Sequence, residues 1–451
     1  MSEAKPAPNA RTQRLLSGPI LPTLAALAAP ALVLAVMQTA VSVGDTHFVG
    51  RLGTEALAGL ALVFPMVMLL QMTSAGAMGG GVSSAVARSL GAGRREAARR
   101  LVAHALVIAL CAGALFTLLL LGLGGALYGL LGGKGETLRQ AIAYSDIIFA
   151  GAVLVWLANT LASVLRGSGN TLVPAAALIV AGLLQIPLSG ALTLGAGPFP
   201  RLGIAGAAIA YVASAGLASA IMGAYLWRSA LRPRGADWTL EGRTFGEILR
   251  VGLISSVSAL QTVATGVVVT GFVGAFGTAA LAGYGVGLRL ELMQIPIVFA
   301  IGQSLVVLVG TNVGAGQGAR AKRIAWVGAG IATSVCAVVG LTTAIFPSLW
   351  VGLFSSDPAV LDAGATYLRT VAPFYAFFGA GVTLYFASQG SGKVMLPVLA
   401  GTVRLVVVVA GGVIAVKVFG SLTALFAVIA LGLTLLGSIT AYSVYRTPWG
   451  R

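Results

Sequence analysis

Long apolar runs, separated by short polar or glycine-rich stretches, follow one another along the whole sequence. A helix needs about 20 mostly apolar residues to cross the hydrocarbon core of a bilayer, and these runs have that length. The pattern therefore predicts an all-α membrane protein with twelve transmembrane helices. The predicted spans are 20–44, 54–78, 101–124, 140–162, 172–194, 203–226, 247–272, 279–308, 325–346, 366–388, 396–416 and 420–444.

The second regular feature is an internal repeat. Residues 48–59, FVGRLGTEALAG, recur 224 residues later as 272–283, FVGAFGTAALAG. The motifs GAG at 91–93 and GSG at 167–169 have counterparts at 314–316 and 390–392. Each half holds six predicted helices, and six is even, so both halves enter the membrane from the same side. We expect two pseudo-symmetric six-helix lobes around a central cavity, as in secondary transporters.

The basic residues indicate orientation and boundaries. Most of the 28 lysines and arginines fall in the tails and in loops on the side of the N-terminus, which is typical of the cytoplasmic side. We expect a multi-pass protein of the bacterial inner membrane with both termini cytoplasmic. The net charge of +16 is then a topology signal, and no nucleic-acid partner is expected. The predicted regions are a cytoplasmic N-terminal tail 1–19, an N-lobe 20–227, a cytoplasmic linker 228–246, a C-lobe 247–445 and a C-terminal tail 446–451.

Composition and missing motifs exclude several classes of protein. The chain is 58% hydrophobic and only 9% charged, which excludes an ordinary soluble fold. It contains no GxxxxGK[ST] phosphate loop, no HExxH motif and no cluster of cysteine and histidine residues. The prediction is a protein that is not an enzyme and that uses no metal or organic cofactor.

Asp45 is the residue that most needs an explanation, because it stands at the end of the first apolar run. An acid at a bilayer centre costs about 2.5–3.5 kcal/mol and is usually paired or functional. A carboxyl group partly withdrawn from water can take up and release protons near neutral pH. The alternative is a structural acid that caps a helix break before Thr46 or pairs with Arg51.

Two further charges, Arg289 and Glu291, lie within the eighth predicted span. Residues two apart on a helix do not face each other, so each side chain needs a partner elsewhere. Two interpretations remain open. The pair packs against polar groups of neighbouring helices, or Glu291 faces the cavity as a second titrating acid or cation contact.

The order of motifs along the chain resembles the MATE (multidrug and toxic compound extrusion) family. The motifs are VGDTHFVGRLGTEALAG around Asp45, SLGAG at 89–93, LRGSGNTLVP at 165–174, GPFPRLGIAGAAIA at 197–210 and SQGSGKVMLP at 388–397. The resemblance covers nearly the whole chain. It implies a twelve-helix, two-lobed antiporter that expels cationic and amphipathic compounds in exchange for H⁺ or Na⁺.

The resemblance also assigns roles in the N-lobe. Asp45 matches the acid of the coupling-ion site, Pro30 matches a proline at which the first helix bends, and Asn159 matches an asparagine of the fourth helix. The fifth helix departs from the family, because Gln185 and Ser189 stand where relatives with a sodium site have an Asn-xxx-Asp pair. Tyr211 replaces a threonine of the sixth helix in the same way.

These departures favour protons over Na⁺, since one carboxylate is a poor ligand set for sodium. In the C-lobe, Gln261 and Ala380 replace acids that some relatives carry, which resembles the DinF-like branch. The expected substrate cavity is lined by Met37, Gln38, Phe64, Met68, Gln261, Arg289, Glu291 and Tyr375.

The function expected from the sequence is that of a monomeric exporter, which exchanges organic cations or amphipathic drugs for protons by alternating access across the lipid bilayer. The alternatives are a Na⁺-coupled antiporter and a flippase for lipid-linked precursors. A membrane receptor or a channel is a rival of another class, although a channel usually shows a symmetric filter or ring of charge.

Overall fold

A computed structural model describes residues 10–449, and this range contains helices and turns but no β-strand. The predictions that concern residues 1–9 and 450–451 lie outside the described residues. The helices are α1 (Ala10–Ser17), α2 (Ile20–Gly50), α3 (Thr54–Gln71), α4 (Gly79–Gly91), α5 (Arg95–Leu130), α6 (Gly135–Ala150), α7 (Ala152–Gly167), α8 (Leu172–Leu194), α9 (Ile204–Trp227), α10 (Gly242–Gly274), α11 (Thr278–Gly314), α12 (Gly318–Ile345), α13 (Pro347–Val351), α14 (Pro358–Val371), α15 (Tyr375–Ser391), α16 (Met395–Lys417) and α17 (Leu422–Arg446).

The membrane spans agree with the predicted number. Within the described range, 11 helical segments are long and apolar enough to cross a bilayer, and α6 with α7 makes 12 if this bent pair is one span. A π-helical segment, Met72–Met78, joins α3 to α4 inside one of these spans. The prediction of an all-α membrane protein is therefore confirmed.

Two predicted spans are not the continuous helices that the sequence suggested. The span predicted at 140–162 is bent by 50° where α6 meets α7 at Gly151. A Cβ atom at Gly151 would collide with Val212 of α9, so only glycine allows this approach. The span predicted at 366–388 contains a 3₁₀ turn, Ala372–Phe374. Pro373 explains this turn because proline has no N–H for the α-helical hydrogen bond.

The repeated glycines mark equivalent turns in the two halves of the chain. Gly53 precedes α3 with φ +118°, and its counterpart Gly277 precedes α11 with φ +101°. Side chains other than glycine rarely adopt this backbone region. The glycines of the other repeated motifs also have positive φ, in the pairs Gly93 with Gly316 and Gly169 with Gly392. The internal repeat is thus visible as a repeat of backbone turns.

The chain forms two compact units. Unit 1 is Ala29–Gly252, and unit 2 combines the segment that ends at Ala28 with the chain from Leu253 onward. In unit 2, Leu15 and Leu24 belong to the same buried cluster as Leu305, and the Asn312 amide donates to the carbonyl oxygen of Leu15 at 3.1 Å. The first predicted span therefore begins in unit 2 and ends in unit 1. The lobe boundaries proposed from the sequence stay predictions.

The segment between α9 and α10 is held against α5 in unit 1. The Asp237 carboxylate is buried and accepts from Arg99 Nε at 3.1 Å and from the backbone N–H of Arg234 at 2.9 Å. His104 is fully buried beside it: its Nε2 accepts the backbone N–H of Glu241 at 2.9 Å, and its Nδ1 lies 2.7 Å from the Arg100 carbonyl oxygen. The backbone N–H can only donate, so the imidazole is neutral with its proton on Nδ1.

We expect Asp237→Ala to lower the stability of unit 1 by about 3 kcal/mol, because Arg99 would lose the partner of a mostly buried charge. The measurement is the midpoint of thermal unfolding of the purified protein in detergent.

Glu241→Ala is the matched control, because the Arg100–Glu241 pair is half exposed, with side-chain exposures of 42% and 46%. An exposed pair contributes about 0–1 kcal/mol, so this variant should unfold close to the wild-type midpoint. Equal midpoints for the two variants would contradict the assignment of Asp237 as the main attachment.

Candidate functional site

The candidate site in unit 1 is built around the carboxylate of Asp45. The side chain is partly buried and projects from α2, six residues before Arg51. The Gln185 amide of α8 donates from Nε2 to Asp45 Oδ2 at 2.8 Å. The Ser189 hydroxyl lies one helical turn further along α8 and also interacts with the carboxyl group. Asp45 Oδ1 is shielded from solvent and accepts no hydrogen bond from any described residue.

Ser214 of α9 completes this part of the site. Its hydroxyl oxygen lies 2.8 Å from Gln185 Oε1 and 2.8 Å from the backbone carbonyl oxygen of Tyr211. Gln185 and Ser214 are buried, with exposures of 5% and 8%. Three helices, α2, α8 and α9, therefore meet through one chain of hydrogen bonds that starts at the carboxylate.

A second group of polar side chains follows from Tyr211. The Gln71 amide donates to the Tyr211 hydroxyl at 2.7 Å, and the Asn159 amide donates to Gln71 Oε1 at 2.9 Å. Asn159 also donates to Ser74 Oγ at 2.8 Å. Gln71 ends α3, and Ser74 lies in the π-helical segment that follows. Such π segments are frequent at functional sites because they redirect side chains within a helix.

The five residues predicted for coupling all lie in unit 1, but they are not one contact shell. Asp45, Gln185 and Ser189 are direct neighbours. Tyr211 and Asn159 are bridged by Gln71, a residue that the sequence analysis did not select. Their assignment as coupling residues stays a prediction.

Gln71, Ser74, Tyr144 and Ser214 are the members of the site that were missed. Tyr144 of α6 and Tyr211 are the titratable side chains whose electrostatic interaction with Asp45 is resolved. A polar residue at the end of an apolar run, such as Gln71 after VMLL, was a usable signal. Ser214 had one as well, because it lies three residues after Tyr211 and shares its helix face.

The structural alternative for Asp45 is not what the coordinates show. Helix α2 continues through Asp45 to Gly50, so the residue does not cap a helix break. Asp45 forms no ion pair with Arg51, which is exposed, and His47 is exposed with its ring 5.7 Å from that of Phe48. Pro30 lies inside α2, 15 residues before Asp45 and two residues from the boundary of unit 1.

The predicted cavity residues of unit 1 differ in their surroundings. Gln38 and Phe64 are exposed, whereas Met68 is half-buried. Met37 packs where α2 meets α8, because a Cβ atom at Gly182 would lie 3.3 Å from its side chain. Their assignment to a substrate cavity stays a prediction.

The predicted residues of unit 2 belong to separate clusters. The Tyr367 hydroxyl donates to Glu291 at 3.1 Å, and Arg404 interacts electrostatically with the same carboxylate. The exposed Arg289 places its guanidinium 5.3 Å from the ring centre of Phe354. The two charges of α11 therefore have different partners, as their spacing required.

The remaining two predicted residues of unit 2 are buried. Gln261 donates to Thr402 Oγ1 at 2.7 Å, and Tyr375 is fully buried. In residues 10–449, no group of three or more His, Cys, Asp or Glu side chains could hold a metal ion.

Comparison with known proteins identifies the family. The MatE family model matches residues 30–190 and 255–414. The FAD transporter of Shewanella oneidensis is 29% identical to this chain, over 83% of this chain and 82% of that protein. The probable multidrug resistance protein NorM of Thermotoga maritima is 27% identical, over 83% of this chain and 80% of that protein.

A solved structure described as MATE in the bent conformation has the same fold, with a TM-score of 0.89 and 24% identity over 97% of both chains. The family model matches once in each compact unit, which agrees with the internal repeat. The two matches together cover most of the sequence. The chain therefore belongs to the MatE family and is a multi-pass membrane transporter, not an enzyme, with the twelve-helix MATE fold.

Proposed function

We propose that this protein is a secondary exporter that expels cationic and amphipathic organic compounds in exchange for protons, with Asp45 as the coupling acid. The relative from Thermotoga maritima is named a probable multidrug resistance protein, which supports drug export. The orientation follows the distribution of lysine and arginine, so both termini lie in the cytoplasm of a bacterial cell.

The observation that carries the proposal is the environment of the Asp45 carboxylate. It lies in an apolar span, receives one amide hydrogen bond, forms no ion pair, and keeps one shielded oxygen without a hydrogen bond. A structural acid in a membrane is usually neutralised by a fixed cation. An acid without one is suited to bind a mobile cation, of which a proton is the smallest.

The neighbours of Asp45 favour a proton over Na⁺. Hard cations bind through several oxygen ligands. Gln185 presents its NH₂ group to the carboxylate, while its carbonyl oxygen faces Ser214. The oxygens left at the acid are those of Asp45 itself and of Ser189, which is a small set for a sodium ion.

Protonation would change the position of the lowest free energy for α2. A neutral carboxyl group no longer pays the cost of a charge in an apolar surrounding, so the hydrogen bonds that orient it can rearrange. Pro30 lacks a backbone N–H and therefore weakens the helix at one point. We propose that α2 bends there as Asp45 gains its proton, and that this movement accompanies release of the substrate outside the cell.

Two other functions are outcomes of the same assays. The FAD transporter among the relatives makes flavin nucleotides a second substrate class to test. A flippase for lipid-linked precursors is the other alternative, and the exposed Arg289 is a cation that could contact an anionic group.

We expect Asp45→Asn to abolish transport driven by a pH gradient, because an amide cannot bind a proton at neutral pH. The measurement is efflux of a fluorescent organic cation, and separately of FAD, from proteoliposomes with either a pH gradient or a Na⁺ gradient. Wild-type protein should respond to the pH gradient alone, and the variant should fall to the leak of protein-free liposomes.

Asp146→Asn is the matched control, since Asp146 is an exposed acid of α6 and makes none of the site's hydrogen bonds. It should keep wild-type transport. Full activity of Asp45→Asn would refute the assignment of the coupling acid, and transport driven by Na⁺ alone would refute proton coupling.

We expect Pro30→Ala to lower the maximal rate about tenfold, which corresponds to about 1.4 kcal/mol on the conformational step, while the KM for the organic cation changes little. The physical reason is that alanine restores a backbone hydrogen bond and stiffens α2. Pro65→Ala, at a proline inside α3, is the control. A loss of rate in the control as large as in Pro30→Ala would show that proline removal acts non-specifically.

A further inference from the structure

The Ser214 hydroxyl has two acceptors but only one hydrogen atom. Its oxygen lies 2.8 Å from Gln185 Oε1 and 2.8 Å from the Tyr211 carbonyl oxygen. A hydroxyl donates one hydrogen bond and can accept two. At any moment Ser214 therefore donates to one of these oxygens, and the other is an acceptor already in place.

The observed arrangement suits an ionised Asp45. A carboxylate only accepts hydrogen bonds, so the Gln185 side chain must turn its NH₂ group towards Oδ2, as it does at 2.8 Å. The Gln185 carbonyl oxygen then points away from the acid and accepts the hydrogen of Ser214. The carboxylate, the amide and the hydroxyl are all paired in this state.

A proton on Asp45 Oδ2 would place two donors opposite each other, because a protonated carboxyl group donates through its O–H. Rotation of the Gln185 amide by half a turn removes the conflict, since its oxygen and nitrogen ends have nearly the same shape. The Gln185 oxygen then accepts from the carboxylic acid, and its nitrogen donates to Ser214 Oγ. Ser214 turns its own hydrogen to the Tyr211 carbonyl oxygen, so every group again has a partner.

We propose that Gln185 and Ser214 form a hydrogen-bond switch with two settings, one for each charge state of Asp45, and that Ser214 is the positioning residue that makes the second setting possible. The proposal rests on the proposed function of Asp45 as the coupling acid. Ser214 does not touch the reacting carboxyl group and acts on it through the Gln185 amide.

The surroundings leave Asp45 as the group that changes charge. The titratable side chains with a resolved interaction are Tyr144 on α6 and Tyr211 on α9, and tyrosines are neutral at physiological pH. From α8 it faces Gln185 and Ser189, which do not titrate. His47 is exposed and two residues away on α2, so it lies on another side of that helix.

The switch also carries the change to another helix. In the ionised setting Ser214 holds the Gln185 side chain of α8, and in the neutral setting it bonds only its own helix, α9. The Tyr211 side chain, in turn, accepts from Gln71 at the start of the π-helical segment. A proton gained at α2 thus alters hydrogen bonds at α8 and α9.

The test measures protonation of Asp45 directly, through the infrared carbonyl band of a protonated carboxyl group in purified protein as pH is varied. The band is assigned to Asp45 by subtraction of the Asp45→Asn spectrum. In Ser214→Ala, the neutral setting leaves a buried N–H of Gln185 without an acceptor, which costs more than an unpaired carbonyl oxygen. We expect the titration midpoint to move to lower pH by about one unit.

A second variant should move the midpoint in the opposite direction. Gln185→Met keeps a side chain of similar length but removes the donor to the carboxylate, so the ionised state loses its hydrogen bond and protonation occurs at higher pH. Opposite shifts in the two variants are not expected from a general loss of packing. This pair also keeps the proposal testable if either variant alone folds poorly.

Two controls complete the experiment. Ser214→Thr retains the hydroxyl and should keep the wild-type midpoint. Ser219→Ala removes a hydroxyl from the same helix that bonds only the Leu154 carbonyl oxygen at 3.1 Å, and it should leave the titration unchanged.

The outcomes separate the two proposals. An unchanged midpoint in Ser214→Ala, or shifts of the same sign in Ser214→Ala and Gln185→Met, would overturn the switch while Asp45 could still couple transport. If Asp45 shows no titration at all across the neutral range, the proposed function fails with it.

Discussion

The hydrogen bond from the Gln185 amide to the Asp45 carboxylate is the interaction on which the rest of the candidate site depends. A carboxylate in an apolar helix is costly, and an oriented donor reduces that cost. The amide is held in turn by Ser214, and Ser214 by the backbone of α9. Helices α2, α8 and α9 must therefore keep their relative positions for the acid to stay ionised, and a change at the acid is a change at all three helices.

The two halves of the chain place their buried acids differently, although their turns repeat. Tyr144 and Tyr367 occupy equivalent positions of the repeat, 223 residues apart. Tyr144 interacts with Asp45 in unit 1, and Tyr367 donates to Glu291 in unit 2. The acids themselves are not equivalent, because the repeat aligns Asp45 with Val269. Glu291 also has the cation Arg404 near it, whereas Asp45 forms no ion pair, so the second acid has the surroundings of a neutralised structural charge.

The sequence contains the spans, the repeat and Asp45 because each of these depends on local composition or on spacing along one helix. The breaks at Gly151 and Pro373 were not predicted, since an apolar run has the same hydropathy whether it is straight or bent. Gln71 and Ser214 were missed for a different reason. Their importance comes from partners 88 and 29 residues away, and no pattern within one helix shows which polar side chains will meet.

The choice of an amide beside Asp45 has a consequence for the number of protons. A second carboxylate at the position of Ser189 would interact strongly with the first, and the pair would titrate in two coupled steps. Gln185 and Ser189 carry no titratable proton, so this site changes by one unit of charge only. A glutamine can satisfy both states because it offers a donor and an acceptor of similar shape. With Asp45 as the coupling acid, unit 1 binds a single proton in each transport cycle, and the free energy available from this site is that of one proton crossing the membrane.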